Sequence, residues 1–210
     1  MILETTQQKL KIAVLISGGG SNLRAIHSAI EAGKLDAEIV LVVSSRPDAQ
    51  GLIFANKKGI ATCSLNKEMY ADAQMANHII CTEVRNSRAE FIAMAGYMRK
   101  LGVEVLDEFE DRVINLHPAL LPSFKGAHAI EDAFNAGVKI SGITIHFANE
   151  DYDKGPIIAQ RAVEISEGDT LDSFEKKIHD AEHCLYPEVL QMLAQGKISI
   201  DKRRIVRISN

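Results

Sequence analysis

The sequence has no tryptophan, only three cysteines and no long apolar run. Cys63, Cys81 and Cys184 are odd in number, widely spaced and in no CxxC pair, which argues against a disulfide framework and a structural zinc site. No segment approaches the roughly 20 apolar residues of a membrane span, and residues 1–11 lack the apolar core of a signal peptide. We therefore expect a cytoplasmic protein that has no membrane partner.

An excess of positive charge is also missing. The chain has 24 Lys and Arg against 28 Asp and Glu, a formal net charge of −4, so we expect no nucleic-acid partner. The basic residues 202–204 are few enough to form a solvated strand edge. An anionic ligand must therefore be held by local geometry and not by the overall charge.

The 210 residues, 46% of them hydrophobic, are typical of one soluble globular domain. Short β-branched apolar segments alternate with segments of helical period, which predicts an α/β fold: a Rossmann-like, mostly parallel sheet with helices on both faces. We expect strands at 11–17, 39–43, 61–65, 91–95, 112–116, 140–147 and 156–163. We expect helices at 22–32, at about 70–79, from the end of loop 117–125 to 136, and at about 170–194. Two further helices are expected to begin at 47–48 and at about 99.

A glycine-rich turn follows the first expected strand, at the sheet edge where ligands bind in open α/β folds. Gly18, Gly19 and Gly20 allow a sharp turn, and Ser21 and Asn22 follow at the start of a helix. Backbone N–H groups exposed in such a turn suit a phosphate. These five residues are therefore candidates for phosphate binding.

Two other interpretations of this turn remain open. In a dinucleotide fingerprint, Leu23 stands where the third glycine belongs. The second expected strand ends in Ser44, Ser45 and Arg46, without the acidic residue that binds an NAD ribose, although Arg46 would suit NADP. The other interpretation is a turn without ligand, in which residues 21 and 22 act only as helix caps.

A polar pair lies at the end of the strand expected at 112–116. Asn115 and His117 are two residues apart and therefore project to the same face, and Pro118 ends the strand. An amide donor beside an imidazole suits acyl chemistry, because one stabilises an oxyanion and the other moves a proton. A hydrogen-bonded structural histidine is the alternative.

The acidic turn at 149–156 connects two expected strands. Most such turns are solvated loops, but this one can bring Asp153 to the imidazole of His117 and so raise the pKa of that histidine. His146, at the end of a strand, is a further candidate for the same site. Four other histidines fall at helical positions and are interpreted as structural: His27, His78, His128 and His179.

These motifs together resemble a known family. The run NLHPALLP at 115–122, followed by Phe124-x-Gly126 and by DKGPI at 153–157, is similar to the signature of folate-dependent formyltransferases. Within that family, the chain resembles the phosphoribosylglycinamide formyltransferases at 17–23, at 95–99 and in Glu182-His183-x-x-Tyr186-Pro187. The resemblance covers about 11–196 of a single domain spanning 1–210, and 197–210 form a C-terminal extension.

The resemblance implies transfer of a formyl group from 10-formyltetrahydrofolate to the amine of glycinamide ribonucleotide in purine biosynthesis, without a metal. It implies a catalytic trio of Asn115, His117 and Asp153. The glycine loop would hold the phosphate, and Glu182 would meet the amine end of the acceptor. Residues implied to bind folate are Tyr97, Met98, Arg99, Leu101, Asn149, Glu150 and Asp151. We expect a monomer or a homodimer.

The chain departs from the family pattern at three places. Ala119 replaces the usual serine, and residues 67–70 replace a segment in which relatives often carry an arginine, so how the folate glutamate is held stays open. Relatives commonly have another polar residue at the position of His179, so the resemblance assigns no role to His179. The alternatives are a methionyl-tRNA formyltransferase, a formyl-tetrahydrofolate hydrolase, an NADP-binding oxidoreductase and a non-catalytic nucleotide-binding module. The first two carry an additional domain, for which 210 residues leave no room.

Overall fold

The computed structural model describes residues 9–151 and 153–209. Most of the segment 1–11, in which the sequence predicts no signal peptide, lies outside these residues, as do residue 152 of the acidic turn and residue 210. The main feature of the fold is a seven-stranded sheet. The strands are β1 (Leu10–Ile16), β2 (Ala37–Ser44), β3 (Thr62–Ser64), β4 (Phe91–Met94), β5 (Val113–His117), β6 (Ile140–Phe147) and β7 (Ile157–Glu164). Their order is β3-β2-β1-β4-β5-β6-β7; β1 to β5 are parallel, whereas β6 is antiparallel to both β5 and β7. The predicted mostly parallel α/β sheet is confirmed.

Helices connect the strands. They are α1 (Ser21–Glu31), α2 (Gln50–Lys57), α3 (Ala73–Ser87), α4 (Val103–Glu108), α5 (Ala129–Asn135) and α6 (Leu171–Ala194), with a short 3-10 helix at Met69–Ala71. After α6, β8 (Ile198–Ile200) and β9 (Val206–Ile208) form an antiparallel hairpin. The basic residues 202–204 lie in its turn and not on a strand edge. Within the described part of the chain, no helix combines the length and the apolar character needed to cross a bilayer.

Helices cover both faces of the sheet, as β1 illustrates. Alternate side chains of a strand point to opposite faces. Ile12, Val14 and Ile16 belong to a core that includes residues of α1, α2, α5 and α6, whereas Ala13 and Leu15 belong to a second core with residues of α3 and α4. Burial on both faces explains why β1 is a continuous apolar run.

One helix begins later than the sequence indicates. The helix expected from about residue 99 begins at Val103, because the preceding backbone bonds to side chains from other elements. The N–H of Met98 donates to Ser17 Oγ at 2.8 Å, and the N–H of Gly102 donates to Asn77 Oδ1 at 2.9 Å. Gly96 has a positive φ of 77°. Residues 96–102 therefore form a loop at the carboxyl end of β4.

Tyr186 joins the long helix α6 to the middle of the sheet. Its ring is fully buried, and its hydroxyl oxygen lies 3.1 Å from the carbonyl oxygens of both Met94 and Ile114. Since these carbonyls belong to β4 and β5, one O–H group ties α6 to the two strands whose ends carry the candidate site.

We expect Tyr186→Phe to keep the fold but to lower the free energy of unfolding by about 1–3 kcal/mol, because it removes the donor shared by two buried carbonyl groups. Urea denaturation followed by circular dichroism measures this change. A parental midpoint with a parental slope would show that the hydroxyl contributes nothing to stability.

Candidate functional site

The antiparallel register of β5 and β6 places His146 directly opposite Asn115. Asn115 Nδ2 lies 3.2 Å from His146 Nε2 and 3.5 Å from Asp153 Oδ1. His146 Nδ1 lies 2.9 Å from the carbonyl oxygen of Phe147, so that nitrogen carries the proton and Nε2 is the acceptor for Asn115. The surrounding acceptors thus determine which way the Asn115 amide points.

Asp153 lies at the centre of this cluster and is only 5% exposed. Its Oδ2 is 3.4 Å from His117 Nδ1 and accepts a hydrogen bond of 3.2 Å from the Gly126 N–H. Its Oδ1 is 3.6 Å from His146 Nε2. The structure thus brings Asn115, His117 and Asp153 together with His146.

The imidazole of His117 is held between two acceptors. Nε2 donates to the Phe124 carbonyl oxygen at 2.8 Å, and Nδ1 faces Asp153. Burial of the ring nevertheless lowers the pKa of His117 below its ordinary value, although the Asp153 carboxylate and the Phe124 carbonyl act in the opposite direction. The expectation that Asp153 raises this pKa above that of an isolated ring is therefore wrong: desolvation outweighs the charge.

The pKa of Asp153 is lowered. Burial raises it, but the contact with His146, the charge of His117 and the N–H of Gly126 together outweigh burial. These neighbours thus favour the carboxylate form, which accepts hydrogen bonds from the Gly126 N–H and the Asn115 amide.

A large cleft opens beside this cluster, at the carboxyl ends of β1, β2, β4 and β5. Its lining includes all the residues expected to bind the acceptor: Gly18, Gly19, Gly20, Ser21, Asn22 and Glu182. Asn115 and His117 line it as well. The glycine turn therefore opens onto the same cleft as Asn115 and His117.

The interpretation of Ser21 and Asn22 as helix caps is wrong. The cap of α1 is Gly20, in the left-handed region with φ 73°, and no side chain caps the helix. Asn22 Nδ2 instead donates to Glu182 Oε2 at 2.9 Å. Both side chains are buried at the bottom of the cleft, where this bond links α1 to α6.

His179, to which the sequence assigned no role, is part of the same cleft. Its Nδ1 lies 3.0 Å from Glu182 Oε2, and this hydrogen bond raises the pKa of His179 above its ordinary value, against the effect of burial. Glu175 also lines the cleft. The spacing of residues 175, 179 and 182 places them on one helix face, which is the signal that could have identified them.

Ser45 and Arg46 also line the large cleft. In the sequence, Ser45 and Arg46 bear only on the choice between an NAD and an NADP site. Both residues nevertheless directly follow the end of β2 at Ser44. A position just after a strand was sufficient to indicate them.

A smaller cleft is also lined by Asn115. Five residues of the predicted folate set line it: Tyr97, Arg99, Leu101, Asn149 and Asp151. Met98 lines the large cleft instead, and Glu150 lines neither. The two clefts share Tyr97, Arg99 and Asn115, so that the Asn115 amide lies where they meet.

The segment that replaces the family arginine contacts two residues of the smaller cleft from behind its lining. The hydroxyl oxygens of Tyr70 and Tyr97 are 2.6 Å apart, and the guanidinium of Arg99 lies 4.8 Å from the centre of the Tyr70 ring. Arg99 is thereby held close to both clefts by a cation–π contact.

Ala119 is buried in the loop that follows His117. Its carbonyl oxygen accepts a 2.7 Å hydrogen bond from Thr144 Oγ1, which in turn accepts from the N–H of Leu121 at 3.0 Å. The loop is therefore tied to β6 through its backbone, and no hydroxyl at position 119 takes part in these contacts. Among residues 9–151 and 153–209, no group of three His, Cys, Asp or Glu side chains is arranged to hold a metal ion.

Comparison with known proteins identifies the family. A family model described as formyl transferase matches residues 10–190. The chain belongs to the formyl transferase family. It is 41% identical to phosphoribosylglycinamide formyltransferase of Bacillus subtilis over 87% of this chain and 94% of that protein. It is 38% identical to the trifunctional purine biosynthetic protein adenosine-3 of Gallus gallus, over 91% of this chain but 19% of that protein.

The fold agrees with this family assignment. The glycinamide ribonucleotide transformylase 1 of Symbiobacterium toebii has a TM-score of 0.94 to this chain at 35% identity, covering 100% of this chain and 99% of the other. The family assignment therefore argues against the two alternatives outside this family, an NADP-binding oxidoreductase and a non-catalytic nucleotide-binding module.

We expect Asp153→Asn to lower the pKa of His117 further, because it removes a negative charge that favours the imidazolium. In the parent protein, NMR titration of His117 should give a pKa below the ordinary value of about 6.5. The variant should titrate at lower pH still, and Asp151→Asn, an exposed change in the same turn, should not alter it. A parental His117 pKa above 6.5 would show that the charge outweighs burial.

We expect Gly19→Ala to weaken binding of glycinamide ribonucleotide about tenfold while stability stays parental. A Cβ at Gly19 meets no protein atom within 4 Å, so it occupies only the open space in front of the turn. Gly20→Ala is the contrast: φ is +73° and its Cβ would lie 2.9 Å from Gly51 Cα, so we expect a loss of stability of about 1–2 kcal/mol. Calorimetric titration and thermal unfolding measure the two effects, and parental affinity in Gly19→Ala would contradict the phosphate assignment.

Proposed function

We propose that this chain transfers the formyl group of 10-formyltetrahydrofolate to the amine of glycinamide ribonucleotide, a step of purine biosynthesis. The observation that carries the proposal is the position of Asn115, His117 and Asp153 where two clefts meet. In this proposal each cleft takes a different substrate, and the three residues lie between the two clefts. The names of the Bacillus and Symbiobacterium relatives support the choice of substrates.

The large cleft fits the phosphorylated acceptor. The glycine turn at the start of α1 offers backbone N–H groups and the positive end of a helix to the phosphate. In the same cleft, the Glu182 carboxylate is held by Asn22 and His179 and suits an amine or hydroxyl donor. The acceptor amine, attached at the far end from the phosphate, would then approach Asn115 and His117.

The smaller cleft fits the folate donor. Apolar surface comes from Leu101 and the ring of Tyr97. Polar groups come from Asn149, Asp151 and the Asn115 amide, and this combination is typical of small-molecule sites. When bound, 10-formyltetrahydrofolate supplies the formyl carbon and the N10 leaving group. No metal is required for this transfer.

The trio then has separate tasks. Asn115 Nδ2 has two hydrogens, one bonded to His146 and one in a long 3.5 Å contact with Asp153. The second hydrogen can exchange that long contact for the oxyanion that forms on the attacked carbonyl. The lowered pKa favours the neutral ring of His117. Since Nε2 donates to Phe124, the ring accepts the proton that the attacking amine loses on Nδ1, and this forms the imidazolium. Asp153 stabilises that imidazolium at 3.4 Å, and His117 afterwards returns the proton toward the leaving nitrogen.

We further propose one formyltransferase domain over 1–210, with a core at about 11–196, acting in the cytoplasm as a monomer or homodimer. All three cysteines are free, as a reducing compartment requires. The hairpin of β8 and β9 forms the C-terminal extension.

The proposal is tested by mixing purified protein with 10-formyltetrahydrofolate and glycinamide ribonucleotide and following the absorbance of the released folate. We expect release only when both substrates are present. Release without the ribonucleotide would indicate a hydrolase, and release that needs methionyl-tRNA would indicate the other alternative. Either result would overturn the proposal.

We expect Glu182→Gln to raise the KM for glycinamide ribonucleotide about tenfold or more while the KM for folate stays parental, since a buried charged hydrogen-bond acceptor is lost on one side of the site only. Glu188→Gln, an equal change at an exposed position of the same helix that pairs with Arg161, is the control and should leave both values unchanged. Equal effects on the two substrates would contradict the assignment of the large cleft to the acceptor.

A further inference from the structure

The segment 45–51 is fixed to the glycine turn at both of its ends. The hydroxyl oxygens of Ser45 and Ser17 lie 2.6 Å apart, and the N–H of Ser45 donates to the Ile16 carbonyl oxygen at 3.0 Å. At the other end, the N–H of Gly51 donates to the Gly18 carbonyl oxygen at 3.1 Å. Arg46, which follows Ser45, is thereby held at the rim of the large cleft beside the glycine turn.

A phosphate bound at the glycine turn needs a positive charge that the residues of the turn do not supply. It contributes N–H groups only, and the chain as a whole is negative, with a net charge of −4. The carboxylates of Glu175 and Glu182 also line the large cleft. The Arg and Lys side chains in its lining are Arg46 and Arg99, and the guanidinium of Arg99 lies over the Tyr70 ring. Arg46 is therefore the arginine of the cleft lining that lies beside the candidate phosphate-binding turn.

The guanidinium of Arg46 is held in an arrangement that an anion can replace. Its Nε and Nη2 donate to the two carboxylate oxygens of Asp48 at 3.0 and 2.6 Å. The two side chains are 62% and 68% exposed, and an ion pair so exposed contributes little stability. A phosphate presents the same pair of acceptor oxygens with more charge.

We propose that Arg46 binds the phosphate of the acceptor, exchanging its carboxylate partner Asp48 for the phosphate oxygens opposite the glycine turn. This inference rests on the proposed function, because it takes the large cleft as the site of a phosphorylated acceptor. It adds a charged group to a subsite otherwise formed by backbone N–H groups. It also gives Asp48 a role, as the group that holds Arg46 when no phosphate is bound.

The test compares three charge-neutralising variants in the intact protein. Arg46→Gln should raise the KM for glycinamide ribonucleotide roughly 10- to 100-fold, with kcat and the folate KM unchanged, since a charge-assisted bidentate contact is lost. Asp48→Asn should lower the same KM about two- to fivefold, because Arg46 no longer has to leave a partner. Arg204→Gln is the control: Arg204 makes a similar exposed bidentate pair with Asp111 but lines neither cleft, so this variant should keep the parental KM.

A binding measurement separates this inference from the proposed function. Inorganic phosphate, titrated by calorimetry, should bind the parent protein more tightly than Arg46→Gln even if no formyl transfer is detected. Parental phosphate affinity and parental KM in Arg46→Gln would overturn the inference while leaving the proposed function intact. An equal loss in Arg204→Gln, or a KM that Asp48→Asn does not lower, would also overturn it. Absence of transfer by the parent protein would overturn only the proposed function.

Discussion

The buried carboxylate of Asp153 is the constraint on which the site depends. A charge that is removed from water is costly unless neighbouring groups satisfy it. Here the Gly126 N–H, the Asn115 amide and the rings of His117 and His146 approach its two oxygens. Since these groups come from β5, β6 and the loop after β5, satisfying the carboxylate also fixes the relative positions of three chain segments.

The backbone around Asp153 is adapted to this task. Asp153 has a positive φ of 52°, which is uncommon for a residue other than glycine. Two residues later, a Cβ on Gly155 would lie 1.7 Å from the Phe147 carbonyl oxygen, so only glycine permits the turn to lie this close to β6. The close approach brings Asp153 from an external turn into the interior. Burial then acts on His117 as well, and it sets the direction of that histidine's pKa.

The two clefts are connected through hydrogen bonds below the site. Ser17 Oγ accepts from the Met98 N–H and contacts the Ser45 hydroxyl, so one side chain joins the ends of β1 and β2 to the loop 96–102. That loop carries Tyr97 and Arg99, which line both clefts. The walls of the two clefts are therefore joined through Ser17.

The sequence alone determined the features that depend on local spacing and residue type. The glycine turn, the common face of Asn115 and His117, the alternation of strands and helices, and the family motifs are all properties of short segments. Only the tertiary structure decided the rest. His146 faces Asn115 because β5 and β6 pair in one antiparallel register, and Glu182 meets Asn22 across 160 residues of chain. The start of α4 and the pKa of His117 were predicted wrongly for the same reason: hydrogen bonds from distant side chains and desolvation by surrounding atoms are sums over neighbours in space, which no local pattern contains.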